Sequence, residues 1–330
     1  MLPFDMPADF PLCLAPMAGV TNTVFRRICK ARGADVLTTE FVSAEGILHR
    51  NARTRYYLEF HEEERPIGVQ LFGADPEHLA EAARAVIDWV RPDFLDLNFG
   101  CPVNKVVCKN GGSALLKDCP LMARVAEAVV RAAAPVPVTA KIRIGWDARS
   151  INAVQTSRLL QDCGVTRIAV HGRTKAQGYS GAADWSVIGE VAAAVSVPVI
   201  GNGDISSAAD ALRRRRETAV AGLMIGRAAM ASPWVFSEIR QALETGGVPA
   251  PPTYEERWRL ICDHCAAEIA WRGDEQMAMK SMRAHLMAYT KGLPGGAKLR
   301  EKLSHVASLS ELEDIAAGHL AALAGRMAVA

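Results

Sequence analysis

Eight short runs rich in β-branched and apolar residues occupy the first 230 residues, most of them separated by stretches with the three- and four-residue spacing of helices. This alternation constrains the chain more than any other feature, because strands joined by helical crossovers must run parallel and bury both faces. The runs are 12–15, 36–41, 67–71, 94–98, 138–142, 168–171, 199–202 and 222–225. Eight such strands, at about the 250-residue size of a closed barrel, predict a (β/α)8 TIM barrel, with a doubly wound open sheet as the alternative.

The stretch TGGVPAPP at 245–252 has no periodicity and reads as a linker. Beyond it, Thr253 with Glu256 and Ser308 with Glu311 are two capping boxes, each opening a segment of helical spacing. The organisation expected is a barrel over 1–245, a linker at 246–252 and a small all-helical domain over 253–330.

A net charge of +2 is too small to mark a nucleic-acid binder, so any basic surface must arise from local clustering. No uninterrupted apolar run reaches membrane-spanning length, and no leader-like segment opens the chain, so a soluble cytoplasmic protein is expected. Eight irregularly spaced cysteines suit reduced thiols better than a disulfide framework. Cys262 and Cys265 form a CxxC, but within a helical pattern and without a second ligand pair, so no metal site is expected. The four arginines 213–216 read as a solvated helix face.

Barrel chemistry assembles at the C-terminal ends of the strands. Those ends read Pro16-Met17-Ala18-Gly19, Thr39-Glu40, Gln70, Asn98 with Cys101, Lys141 with Arg143, His171 with Arg173, Gly201-Asn202-Gly203-Asp204 and Gly226-Arg227. One polar strand end is ordinary solvation; eight in register point to a site. Asn202-Gly203-Asp204 lacks the third glycine of a dinucleotide fingerprint, and the next strand ends in Gly226-Arg227 rather than an acid. These two loops instead match the phosphate site that barrels build after strands seven and eight, with Arg227 adding a charge. Gln70, Asn98, Lys141 and His171 remain for the rest of a cofactor. They suit a flavin, whose reduced ring carries negative charge that a lysine stabilises; Lys141 alone would equally serve pyridoxal phosphate. Cys101 lies just past a strand end, between Gly100 and Pro102 in a long connection, and is expected to be an exposed, mobile thiol able to donate a proton. Cys13 and Cys163 are expected in the apolar core.

The signatures APMAGVT from 15 to 21, LDLNFGCPVNKVVCKNGGSALL from 95 to 116, Lys141-Ile142-Arg143, His171-Gly172-Arg173-Thr174, Asn202-Gly203-Asp204 and Met224-Ile225-Gly226-Arg227-Ala228 resemble the bacterial tRNA-dihydrouridine synthases, and most of all their B-type subfamily. The resemblance covers nearly the whole chain. It implies FMN held by Pro16, Met17, Ala18, Gln70, Lys141 and His171, with Asn202, Gly203, Asp204, Gly226 and Arg227 around the phosphate. It implies Cys101 as general acid, NADPH as electron donor, and a uridine of the tRNA D-loop as substrate bound by the helical domain. Asn98, Arg143 and Arg173 are then placed on the substrate. Two other readings compete: a flavin barrel acting on a small pyrimidine, and a non-catalytic RNA-binding protein. Against the first, the basic residues from Arg257 to Lys302 outnumber the acidic ones, more than a free base would need.

Overall fold

A computed structural model describes residues 9–49, 52–108 and 110–327. Its strands are β1 (Leu12–Leu14), β2 (Leu37–Thr38), β3 (Val42–Ser43), β4 (Ile67–Phe72), β5 (Phe94–Phe99), β6 (Val138–Arg143), β7 (Ile168–His171), β8 (Val199–Asn202) and β9 (Gly222–Ile225). All pair in parallel, in the order β1-β9-β8-β7-β6-β5-β4-β2, with β3 also on β4. The ring closes where the Leu14 N–H donates to the Val36 carbonyl at 3.0 Å and the Asp35 N–H to the Leu12 carbonyl at 2.8 Å. This is the closed barrel expected, not the open sheet.

Seven of the eight expected strands form within a residue of their expected bounds; the second, 36–41, is divided into β2 and β3. The register explains the division. Thr38 faces Gly68 and Val42 faces Leu71, so four steps on one strand meet three on its neighbour. The extra residue makes a bulge, a device that turns a side chain aside at a barrel rim. Here it lets the Glu40 carboxylate accept the Gly19 N–H at 2.6 Å, tying the second strand to the loop after β1.

The crossover helices follow from their caps and stripes. Asp75 caps Pro76–Val90 and Asp118 caps Cys119–Ala133, each with proline in the first turn, and Leu79, Ala82, Val86, Met122, Val125 and Val129 face the sheet. Inside the barrel a second apolar cluster of Cys13, Ala15, Val36, Phe94, Ala169, Ile200 and Met224 fills the lumen.

Residues 247–253 carry no regular structure, and four helices follow: Tyr254–Arg272, Glu275–Tyr289, Gly296–Leu303 and Leu309–Met327. The Thr253–Glu256 box is reciprocal; Glu311 donates its N–H to Ser308 but returns its carboxylate to the Ala307 N–H. Cys262 and Cys265 lie in the first of these helices, and no cluster of metal-binding side chains occurs among the described residues. None of their helices is long and apolar enough to cross a membrane. One contiguous core joins the barrel to these helices through Trp258, Ile261, Met279, Met282 and Leu286. Cys13 is buried as expected, whereas Cys163 is only partly so, because it caps its helix at the surface.

Two histidines are sealed in that seam. Burial pushes His264 well down and His285 to about 4. Unfolded histidine protonates near about 6.5, so between that pH and about 4 the unfolded chain binds more protons and the fold loses stability as pH falls. Thermal unfolding followed by circular dichroism should show this fall, at most about 3 kcal/mol of it from His285, and His285→Gln should remove that share while the share from His264 stays.

Candidate active site

The register of the barrel sets the site. Asn98 lies beside Lys141, and Arg143, His171, Asn202 and Met224 are successive partners across β6, β7, β8 and β9. Parallel strands of matched length therefore bring side chains from distant segments into one row at the mouth. A cleft of about 670 Å³ on the barrel's flank, lined by Glu127, Arg158, Asp162 and Glu190, lies away from these residues.

A buried chain of hydrogen bonds runs along one side of the row. The Asp96 carboxylate accepts the Thr139 hydroxyl at 2.6 Å and the Gln70 amide N–H at 2.7 Å. A carboxylate can only accept, so Gln70 turns its oxygen outward, where it takes the Asn98 amide N–H at 2.7 Å. The Asn98 oxygen in turn accepts the backbone N–H of Cys101 at 2.9 Å and of Gly100 at 3.2 Å. From the other side the Ser113 hydroxyl donates to the Cys101 carbonyl at 2.8 Å. Gly112 permits this approach: at φ +59° a Cβ there would lie 3.0 Å from that carbonyl.

The thiol is therefore placed otherwise than expected. Cys101 is 8% exposed and its peptide is tied on both sides, because the long connection folds back over it. Burial pushes its thiol up, against the Val103 N–H and the cations Arg143 and Lys141. At neutral pH it holds its proton. The loop position is right and the exposure is not.

The opposite side of the row is cationic. Lys141 opens only a little to the mouth, donates to the Asn202 amide oxygen at 3.1 Å, and is pushed down to about 8 by burial and then by Arg143. His171 is pushed down to about 2 by burial and by Lys141, Arg143, Arg173 and Arg227, so its imidazole is neutral. Asp204, at φ +52°, accepts from the Ala183 N–H at 2.7 Å and from both Arg173 and Arg227. Against the cost of partial burial, these partners hold its carboxyl below the usual range. Its side chain thus orients the two arginines. Met17 reaches this end too, its sulfur 3.4 Å from where a Gly226 Cβ would stand. Pro16 and Ala18 flank it on the same loop.

Three residues expected on a substrate are engaged within the protein. Asn98 holds the Cys101 loop. Arg143, 2% exposed, donates to the carbonyls of Gly100, Thr174 and Gly178 at 2.8–2.9 Å, joining the loops after β5 and β7. Arg173, also 2% exposed, donates to the Ser180 and Gly181 carbonyls as well as Asp204, while its Nη1 is buried with no partner among the described residues. A sequence does not show which carbonyls will surround a guanidinium.

The family model described as dihydrouridine synthase (Dus) matches residues 13–323. The chain belongs to the dihydrouridine synthase family. It is 41% identical over 287 residues to tRNA-dihydrouridine synthase B of Xanthomonas campestris, covering 87% of this chain and 86% of that one. With the Pseudomonas aeruginosa protein of the same name it shares 40% over 305 residues, covering 92% and 90%. Among solved structures, TcOYE with pHBA superposes with a TM-score of 0.52 at 12% identity, over 73% of this chain and 90% of that one, a likeness of fold alone.

Three groups in this dihydrouridine synthase were not singled out from sequence. Asp96 was legible as the inward polar residue between Leu95 and Leu97, alternating with Asn98. Ser113 and Tyr179 had no local signal. Tyr179 stands 60% exposed at the mouth, its ring 5.1 Å from the Arg227 guanidinium and 5.7 Å from that of Arg143. Alkylation mapped by mass spectrometry should modify exposed Cys108 first and buried Cys101 at least about tenfold more slowly at neutral pH; equal rates would contradict the burial of Cys101.

Proposed function

We propose that this family member reduces the C5–C6 bond of a uridine in the tRNA D-loop, using FMN and NADPH, with Cys101 as general acid. The observation that carries the reading is a clamped, protonated thiol on one side of a mouth whose other side is cationic. Relatives named tRNA-dihydrouridine synthase, 38% to 41% identical over most of their length, support the substrate.

The residues fit an anionic flavin. Lys141 meets no carboxylate within ion-pair distance among the described residues, Arg227 is half exposed, and Arg173 Nη1 lacks a partner. Arg227, Arg173, Gly226 and the backbone of Asn202, Gly203 and Asp204 would hold the phosphate; Lys141, Gln70, neutral His171 and the loop of Pro16, Met17 and Ala18 would hold the ring. When bound, the flavin supplies the hydride that reaches C6. The chain supplies the rest. The base leaves its stack to enter the mouth, which Arg143 and Arg173 shape by pinning the rim loops. Tyr179 offers an aromatic face beside it. Cys101 gives its proton to C5, becomes thiolate, and recovers a proton from water; Lys141 and Arg143 stabilise that anion.

The barrel over 1–245 is assigned the chemistry and the helices over 253–330 the tRNA. The free thiols fit a cytoplasmic setting. Lys291, Lys298 and Lys302 are exposed without an ion-pair partner among the described residues, which favours a polyanion over a free pyrimidine. Neutralising these three with Arg300 should weaken tRNA binding and flatten its salt dependence by about 0.7 to 0.9 in log–log slope for each phosphate left without its cation. An unchanged slope assigns the tRNA elsewhere.

Cys101→Ala should retain FMN and its reduction by NADPH, yet lose about 100- to 10,000-fold in dihydrouridine formed on unmodified tRNA. Near-normal turnover would remove Cys101 from the mechanism. FMN retention should also weaken as pH rises through about 8, where Lys141 loses its proton, with the midpoint moved upward by the bound anion. Equilibrium dialysis across that range should show the dependence vanish in Lys141→Met.

A further inference from the structure

The loop after β1 is held from outside the barrel as well as from within. Its turn closes with the N–H groups of Val20 and Thr21 both donating to the Met17 carbonyl at 3.0 Å, and Glu40 takes the Gly19 N–H. That leaves the Val20 carbonyl and the Asn22 amide pointing away from the barrel. The C-terminal helices take both. His285 Nε2 donates to the Val20 carbonyl at 3.2 Å, and the Asn22 amide N–H donates to the Glu268 carboxylate at 2.7 Å. His285 is 3% exposed and Glu268 1%.

The way His285 is held makes this contact specific. Its ring is wedged by Phe25 at 4.6 Å, His264 at 4.8 Å and Tyr289 at 5.8 Å, while its Nδ1 is buried without a partner among the described residues. An unpaired buried nitrogen is costly, and an apolar side chain would pack here without it. What the imidazole adds is one donor aimed at one carbonyl. Glu268 is likewise more than packing: it gathers Arg272 and Ser281 as well as Asn22, so its position is fixed from its own side.

We propose that His285 is a positioning residue for the cofactor, fixing the loop 16–22 through the Val20 carbonyl, with Glu268 fixing Asn22, so that the C-terminal helices form the back wall of the flavin site. The inference rests on assigning residues 16–18 to FMN. It gives those helices a second task besides RNA.

The test is FMN titration of the full-length apoprotein by flavin fluorescence, with folding checked by circular dichroism. Glutamine can place an amide nitrogen where His285 Nε2 stands; asparagine reaches only to the Nδ1 position. His285→Asn should weaken FMN binding about tenfold, the worth of one hydrogen bond, and His285→Gln should stay within about twofold of the parent. Asn22→Asp keeps the oxygen that caps the Phe25 N–H but sets a carboxylate against Glu268, so it should weaken FMN as well, and Glu268→Gln in that background should restore it. A folded His285→Asn that binds FMN like the parent overturns the proposal, as does equal loss in His285→Gln. Should His285→Asn not fold, parent-like binding by Asn22→Asp overturns it instead. A parent protein that takes up no FMN is a different result: it removes the cofactor reading, not the contact.

Discussion

Closure of the barrel between β1 and the chain before β2 is the constraint on which the rest depends. Among the described residues, two backbone hydrogen bonds, a bridge from Cys13 to Val36 and the Leu12 N–H donating to the Asp35 carboxylate at 2.7 Å make that seam, yet they convert a twisted sheet into a ring. In an open sheet the first and last strands would diverge. In the ring, β1 lies against β9 with Leu14 beside Ile225, so the loop carrying Met17 meets the one carrying Gly226 and Arg227. The bulge in the second strand serves the same seam, since it frees Glu40 to hold that loop from inside.

Within the ring, placement of the Cys101 thiol follows from a carboxylate's inability to donate. Asp96 is buried at 6% exposure, and its orientation of Gln70 passes to Asn98 and then to the Cys101 backbone. Burial raises the Asp96 carboxyl, while Thr139, Gln70, Arg167 and Lys141 oppose that rise. The cationic side is organised by Asp204 in the same manner, through the two arginines it aligns. Acids thus set the geometry on both sides, Asp96 from within the barrel and Asp204 from the exposed rim, and the residues with evident chemistry are the ones they aim.

Much of this was legible in advance for a physical reason. Strand ends in a parallel barrel are also site positions, so Gln70, Lys141, His171 and Asn202 could be named once eight runs were recognised. Cys101 was named with the wrong surroundings, and the enclosure of Arg143 and Arg173 was not legible. Whether a side chain is exposed depends on loops that return over it: residues 112–117 over the thiol, and 174–181 over the arginines. Those contacts link positions 7 to 35 residues apart and leave no periodic trace.

By itself the amino-acid sequence determined the eight strands, the barrel as leading architecture, the helical C-terminal segment and the identity of the residues at the strand ends, because hydrophobic period, caps and strand-end chemistry are local properties. Tertiary structure decided which of those residues are free. It alone sealed Cys101, paired Asp204 with two arginines, and set His285 and Glu268, more than 240 residues along the chain, against Val20 and Asn22. Hydrogen-bond partners are chosen by direction and distance in three dimensions, and neither is written in spacing along a chain.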